Sequence, residues 1–183
     1  MIRHALVAMT LYAGLSSAAI AGGLSSATLE VVDALRVGEM RKLVLHDAPK
    51  APVDLRFGDV DGVEHSLRSS DGKIRIVNFW ATWCAPCKIE KPQLDALNKT
   101  LSGQSFEVIA IATGRNSLKG IKRFNADLGI TSLTTYLDPQ NRAAAAYGAL
   151  GLPVSVVLDR EGREIGRITG AGAWDSEESH QIF

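Results

Sequence analysis

The stretch Ile74-Arg75-Ile76-Val77-Asn78-Phe79-Trp80-Ala81-Thr82-Trp83-Cys84-Ala85-Pro86-Cys87-Lys88-Ile89-Glu90-Lys91-Pro92 decides how this chain is read. Ile74 to Phe79 is an apolar, β-branched run of the kind found in strands buried on both faces. A Cys-x-x-Cys pair follows at once, and Leu94, Leu97 and Leu101 then recur at helical spacing. The segment therefore predicts a strand that feeds a helix beginning near Cys84 and running to about Leu101, with Pro92 kinking it. At a helix N-terminus the free backbone N–H groups and the macrodipole favour negative charge, so a thiol there loses its proton more readily. Cys84, at the very start, is the expected nucleophile. Cys87, one turn in on the same side, is the expected resolving thiol, attacking the mixed disulfide formed on Cys84. Pro86 falls in the first turn, where its missing N–H has no helical acceptor to lose, and it stiffens that turn.

Working outward, the chain alternates strands and helices. Val53 to Phe57 and Val63 to Leu67 read as a β-hairpin closed by Asp61-Gly62, since Asp-Gly supplies positive φ. After the Cys-x-x-Cys helix come a buried strand at Phe106 to Ala112 and a helix at Ser117 to Leu128. A short strand at Thr134 to Leu137 and an Ala-rich helix at Asn141 to Tyr147 follow. Val154 to Leu158 and Glu164 to Thr169 form a second hairpin, and Asp175 is placed to cap a last helix. This order predicts an α/β fold with a mixed central sheet flanked by helices and an extra N-terminal hairpin.

Three regions are expected. Residues 1–21 read as an export signal: a short polar start at Arg3-His4, an apolar run from Ala5 to Leu15, and Ala19-Ile20-Ala21 as a small-x-small cleavage site. Retention as a membrane anchor is the alternative, although the run is short of the roughly 20 residues a spanning helix needs. Residues 22–52 read as a linker with one short helix, carried by Leu29, Val32 and Leu35 and ended by Gly38. Residues 53–183 form the globular domain. On either reading of 1–21 the domain lies outside the cytoplasm, in the periplasm.

Of the 183 residues, 20 are Lys or Arg and 20 are Asp or Glu. No field of one sign is available to gather nucleic acid, and no nucleic-acid partner is expected. The chain has only two cysteines, three apart. Such a pair closes too small a loop to stabilise through chain entropy, so reactivity is its purpose. A zinc site would need further ligands, and His4, His46, His65 and His180 are scattered with no second Cys pair. Two thiolates suffice for Cu(I), so a copper-binding chaperone is a rival reading. No metal site and no cofactor beyond the Cys84–Cys87 redox couple are expected.

The run from Asn78 to Pro92 resembles the signature of the TlpA/ResA/CcmG group of exported thioredoxin-like thiol:disulfide oxidoreductases. Gly151-Leu152-Pro153 before a strand and the Asp159-Arg160-Glu161-Gly162 turn fit as well. The likeness spans roughly Val53 to Phe183. It is greatest to TlpA, through Leu101-Ser102-Gly103, Phe106-Glu107-Val108 and Gly170 to Glu178. The resemblance implies a thioredoxin fold and a cis-proline at Pro153 facing the dithiol. It implies that the backbone of Leu152 pairs with the client chain, and that Glu90 tunes the thiol pKa or relays protons. Asn78 departs from ordinary thioredoxin, which carries a buried acid there; Asn cannot transfer a proton, so that role passes to Glu90 or to water. Trp83 is expected to cover the dithiol and offer partner surface, while Trp80 belongs to the core.

The implied activity is reduction of protein disulfides. Expected clients are a copper chaperone or cytochrome oxidase subunit during copper-centre assembly, or apocytochrome c during maturation. Electrons would come from a membrane donor, and the protein is expected to act as a monomer. A disulfide oxidase or isomerase is the alternative, since direction follows the reduction potential and Ala85-Pro86 does not set it.

Overall fold

The computed structural model describes residues 26–103 and 105–183, and the segment 1–21 read as a signal or anchor lies outside the described residues. The helices are α1 (Ser26–Leu35), α2 (Ala85–Leu101), α3 (Leu118–Asp127), α4 (Arg142–Ala146) and α5 (Glu177–Ile182). The strands are β1 (Val44–Lys50), β2 (Arg56–Asp59), β3 (Glu64–Ser66), β4 (Ile74–Trp80), β5 (Phe106–Thr113), β6 (Thr135–Asp138), β7 (Val154–Leu158) and β8 (Glu164–Thr169). Together the strands form one mixed sheet in the order β1-β8-β7-β4-β5-β6-β2-β3. β4 lies at its centre, parallel to β5 and antiparallel to β7.

That central position explains the unbroken apolar run. Alternation along β4 sends Ile76 and Trp80 to one face and Val77 and Phe79 to the other, and each face has its own core. The first core is covered by α2 and α3, with Leu94, Leu97, Ile121 and Phe124 packed on Trp80, Ala110 and Ala112. The second holds Val77, Phe79, Ile111 and Val156 under Ala143, Ala144 and Tyr147 around α4. Buried Arg75 satisfies the end of β4 away from the cysteines, donating to the Leu67 carbonyl (2.7 Å), the Asp71 carboxylate (2.9 Å) and the Asp159 carbonyl (3.2 Å).

The expected hairpins form. Gly62 turns the first at φ +82°, and Gly162 turns the second at the same φ. Three details differ from the sequence reading. The leading strand of the first hairpin starts at Arg56, not at Val53, and runs to Asp59. Strand β1 lies inside the stretch 22–52 read as linker, and pairs antiparallel with β8 through Val44↔Arg167 and Leu45↔Gly166. Its sequence, interrupted by His46-Asp47 and Pro49, carries no strand alternation. Tertiary partners hold it: a Cβ at Gly166 would stand 2.8 Å from the Val44 carbonyl oxygen, and Glu164 meets His46 at 2.6 Å. Ser176, rather than Asp175, caps α5, its hydroxyl accepting the Ser179 N–H at 3.2 Å. One residue of displacement decides which side chain can reach back to the third N–H.

The lower half of α2 is anchored by Asp95. Its buried carboxylate accepts the backbone N–H groups of Thr131 (3.1 Å), Ser132 (2.7 Å) and Leu133 (3.1 Å), the Ser132 hydroxyl (2.9 Å) and Lys99 Nζ (2.7 Å). Burial pushes this carboxyl upward, but Lys99 and the Ser132 and Thr131 donors outweigh it and hold it below its ordinary value. A group depressed in the folded state adds stability above its unfolded pKa and loses it as pH falls through the folded value. Asp95→Ala, which orphans three backbone N–H groups, is expected to cost about 3 kcal/mol in urea unfolding at pH 7. The gap to the unsubstituted protein should shrink below about pH 4, the ordinary carboxylate range.

Candidate active site

Chain geometry delivers the cysteines to the edge of the sheet. β4 ends at Trp80, Ala81-Thr82-Trp83 turn away from it, and Cys84 is the N-cap of α2. Cys84 and Cys87 form a disulfide with Cα atoms 5.3 Å apart. The sulfurs are not equivalent: Cys84 keeps 6% of its surface and Cys87 none. Cys84 Sγ also accepts the backbone N–H of Cys87 at 3.2 Å. The group that would carry thiolate charge thus already faces a free helix N-terminal donor.

The turn itself is pinned. Asn116, just before α3, accepts both the Thr82 N–H (2.9 Å) and the Thr82 hydroxyl (3.0 Å), and donates to the Thr113 carbonyl (3.0 Å). Trp83 is 65% exposed, its indole N–H donating to the Arg115 carbonyl at 3.2 Å. The Leu152–Pro153 bond is cis. The register Phe79↔Val154 sets Pro153 beside the end of β4, at the edge from which the cysteine turn departs. Leu152 and Trp83 line one open groove of about 750 Å³, continued by Arg115, Ala145 and Leu150. Leu150 is 99% exposed there, an apolar side chain presented to whatever enters.

About one helical turn beyond Cys87, α2 carries Glu90 into a buried polar cluster. Glu90 is enclosed, and its oxygens accept from Asn78 Nδ2 (2.8 Å), Trp174 Nε1 (3.0 Å) and the Gly172 N–H (3.2 Å). Asn78 also donates to the Ser155 hydroxyl at 2.9 Å. Burial raises the Glu90 carboxyl above its ordinary value, while the donors Trp174, Gly172 and Asn78 pull it partly back. Among the described residues no three His, Cys, Asp or Glu side chains converge as a group able to hold a metal ion.

The structure therefore gathers Cys84, Cys87, Trp83, Leu152 and Pro153 at one edge of the sheet, with Glu90 inside. Sequence reasoning left out Trp174, Asn116 and Ser155. Trp174 had a usable signal, a tryptophan within the Gly170–Glu178 segment already matched to the group. Asn116 and Ser155 had none, because only the tertiary approach of other segments gives them partners.

A mixed sheet whose central strand feeds a Cys-x-x-Cys helix, with a cis-proline at the same edge, defines a thioredoxin-fold thiol:disulfide oxidoreductase. The chain belongs to the AhpC/TSA family, whose model matches residues 44–163. It is 32% identical over 127 residues to the thiol-disulfide oxidoreductase ResA of Geobacillus thermodenitrificans, covering 69% of this chain and 72% of that protein. It is 35% identical over 124 residues to the thiol:disulfide interchange protein HelX of Rhodobacter capsulatus, covering 68% and 66%. A crystal structure of a thioredoxin-family thiol:disulfide interchange protein of Chlorobium tepidum superposes with a TM-score of 0.62 at 28% identity, over 75% of this chain and 97% of that one. These relatives establish the TlpA/ResA/CcmG likeness and thiol:disulfide exchange as the activity.

Trp174→Phe removes one donor to the ionised Glu90 and keeps the ring. It is expected to move the Glu90 pKa further up, as read by carboxyl carbon NMR titration. The native state already holds this proton more tightly than the unfolded chain. Stability from Glu90 is therefore full below the unfolded pKa and declines as pH rises through the folded one. The substitution should carry that decline to higher pH.

Proposed function

We propose that this protein is an exported reductase of protein disulfides, with Cys84 as nucleophile and Cys87 as resolving thiol. The observation that carries this reading is the asymmetry of the two sulfurs: one at the N-cap, keeping 6% of its surface and held by a backbone N–H, the other fully sealed one turn below. In the reduced protein, the Cys84 thiolate attacks a client disulfide. A Cys84–client bond forms, the client S–S bond breaks, and one client sulfur leaves as a thiolate. Cys87 then attacks Cys84 Sγ, the Cys84–client bond breaks, and the second client thiolate leaves. Two electrons have passed to the client and the Cys84–Cys87 disulfide remains. No cofactor beyond this redox couple takes part.

The groove lets Trp83 and Leu150 pack on the client chain while the backbone at Leu152 and cis-Pro153 aligns the segment next to its cysteine. Glu90, fixed by its three donors, tunes the charge behind the dithiol. Export rests on the signal-like segment 1–21. Outside the cytoplasm thiols oxidise, so cysteines that must later bind copper or haem need a reductant. Copper-centre assembly of cytochrome oxidase and cytochrome c maturation are the client pathways the motif resemblance supports, with a membrane dithiol protein returning the electrons.

The reduction potential of the Cys84–Cys87 couple tests the direction. A value of about −200 mV or more negative fits a reductase, and one near −120 mV, as in strong oxidants, refutes it. Cys87→Ser is expected to accumulate mixed disulfides with clients in cells, seen as high-mass bands lost on reduction, and Cys84→Ser is not. Equal trapping by both would reverse the assignment of the two sulfurs.

A further inference from the structure

Lys91 takes no part in the exchange just described, yet its placement is unusual. The side chain has no exposed surface, Nζ makes no hydrogen bond, and it lies 4.0 Å from the centroid of the Trp80 ring. Lysines normally carry the amine to water. Trp80 belongs to the same core as Cys84 and Cys87, packed on Phe124 at 4.9 Å. On α2, Cys87, Lys91 and Asp95 follow at intervals of four and so share one stripe of the helix, and all three are buried. Helical side chains lean toward the N-terminus, over the preceding turn. Cys87 is thus the nearest buried residue before Lys91 on that stripe, one helical turn away.

We propose that Lys91 is the proton acceptor for the Cys87 thiol. The proposal rests on the resolving role given to Cys87. In the mixed disulfide, the Cys87 S–H bond breaks and its proton passes to the lone pair of the neutral Lys91 amine. The Cys87 thiolate attacks Cys84 Sγ, the Cys84–client bond breaks, and the client sulfur departs with the electron pair. When a donor dithiol later opens the Cys84–Cys87 disulfide, the Lys91 ammonium returns its proton to the departing Cys87 sulfur. A neutral amine can stay in this dry pocket without an anionic partner, and the face of Trp80 holds the ammonium once it forms.

The electrostatics suit the task. Burial lowers Lys91 to about 7, with the Glu90 and Asp95 carboxylates pulling the other way. A base with that value is partly deprotonated at neutral pH and still a competent acceptor. The charged groups facing it are Glu90 and Asp95, both on α2. β4 brings Trp80 and Asn78 to this face, β5 Ala110 and Ala112, α3 Ile121 and Phe124, and the segment after β8 brings Trp174, none of which titrates in this range. Glu90 is already engaged by Asn78, Gly172 and Trp174, which leaves Lys91 as the free basic group on the Cys87 stripe.

The test follows the two exchange steps separately. Reduced protein is mixed with a peptide carrying one cysteine joined to glutathione, and acid-quenched samples are resolved by mass into mixed disulfide and oxidised protein. In Lys91→Met the mixed disulfide should form at the unsubstituted rate but resolve about 100-fold more slowly at pH 7, within the usual range for general base catalysis. The deficit should narrow as pH rises and hydroxide takes the Cys87 proton in place of Lys91. Thermal stability should be equal or higher, since an apolar side chain of similar volume replaces a buried amine. Lys91→Gln, which keeps a polar group but accepts no proton in this range, should behave the same and decides the matter if the Met variant fails to fold. Unchanged resolution from pH 6 to 9, or slowing by the same factor at every pH, overturns the proposal. If the unsubstituted mixed disulfide itself does not resolve, the role of Cys87 fails instead, and the proposal with it.

Discussion

A carboxylate taken out of water must find its donors in the protein, and Glu90 finds them on segments that are distant in sequence. It sits on α2, takes one hydrogen bond from Asn78 on central strand β4, and takes two more from Gly172 and Trp174 after β8. The helix that carries both cysteines cannot slide on the sheet without stripping a buried carboxyl of its partners. The same bonds hold a polar, titratable group about one helical turn beyond Cys87. Rigidity of the site therefore comes from this cluster, and under the proposed function so does control of its charge.

The rest of α2 repeats this arrangement. Glu90, Lys91, Asp95 and Asn98 are all buried along a helix whose remaining buried positions are Cys87, Leu94 and Leu97. Asp95 and Asn98 bind the turn that precedes β6 and the start of β5, through Ser132 and the Val108 N–H. These contacts hold the far half of the helix. Asn116 holds the approach to its near end by gripping Thr82. Only Lys91 has no hydrogen-bond partner among these four, and the indole N–H of Trp80, on which it packs, is likewise unpaired.

The surface around the dithiol is apolar where the interior is polar. Trp83 and Leu150 stand exposed on two loops, one leaving β4 and the other preceding β7, with the groove between them. Under the proposed function, a client chain drawn in by its disulfide covers these apolar side chains, while the polar cluster lies inside.

The sequence by itself determined the strand-to-helix junction at Cys84, because an apolar β-branched run followed by a Cys-x-x-Cys pair and a Leu periodicity leaves one local solution. It also marked Gly62 and Gly162, whose positive φ closes both hairpins, and the order of strands and helices that makes the sheet mixed. Tertiary structure alone decided the rest. β1 exists because β8 offers it Gly166 and Glu164, not because Val44–Lys50 alternates. Ser176 caps α5 because it stands one residue nearer the helix than Asp175. Trp174, Ser155 and Asn116 gained their partners across gaps of 84, 77 and 34 residues. Lys91 reads as an ordinary helix lysine until the packing of Trp80 and Phe124 encloses it. Local propensity is encoded within a few residues and can be read there. Burial and hydrogen-bond partnership are properties of which surfaces meet, and they emerge only when the whole sheet is assembled.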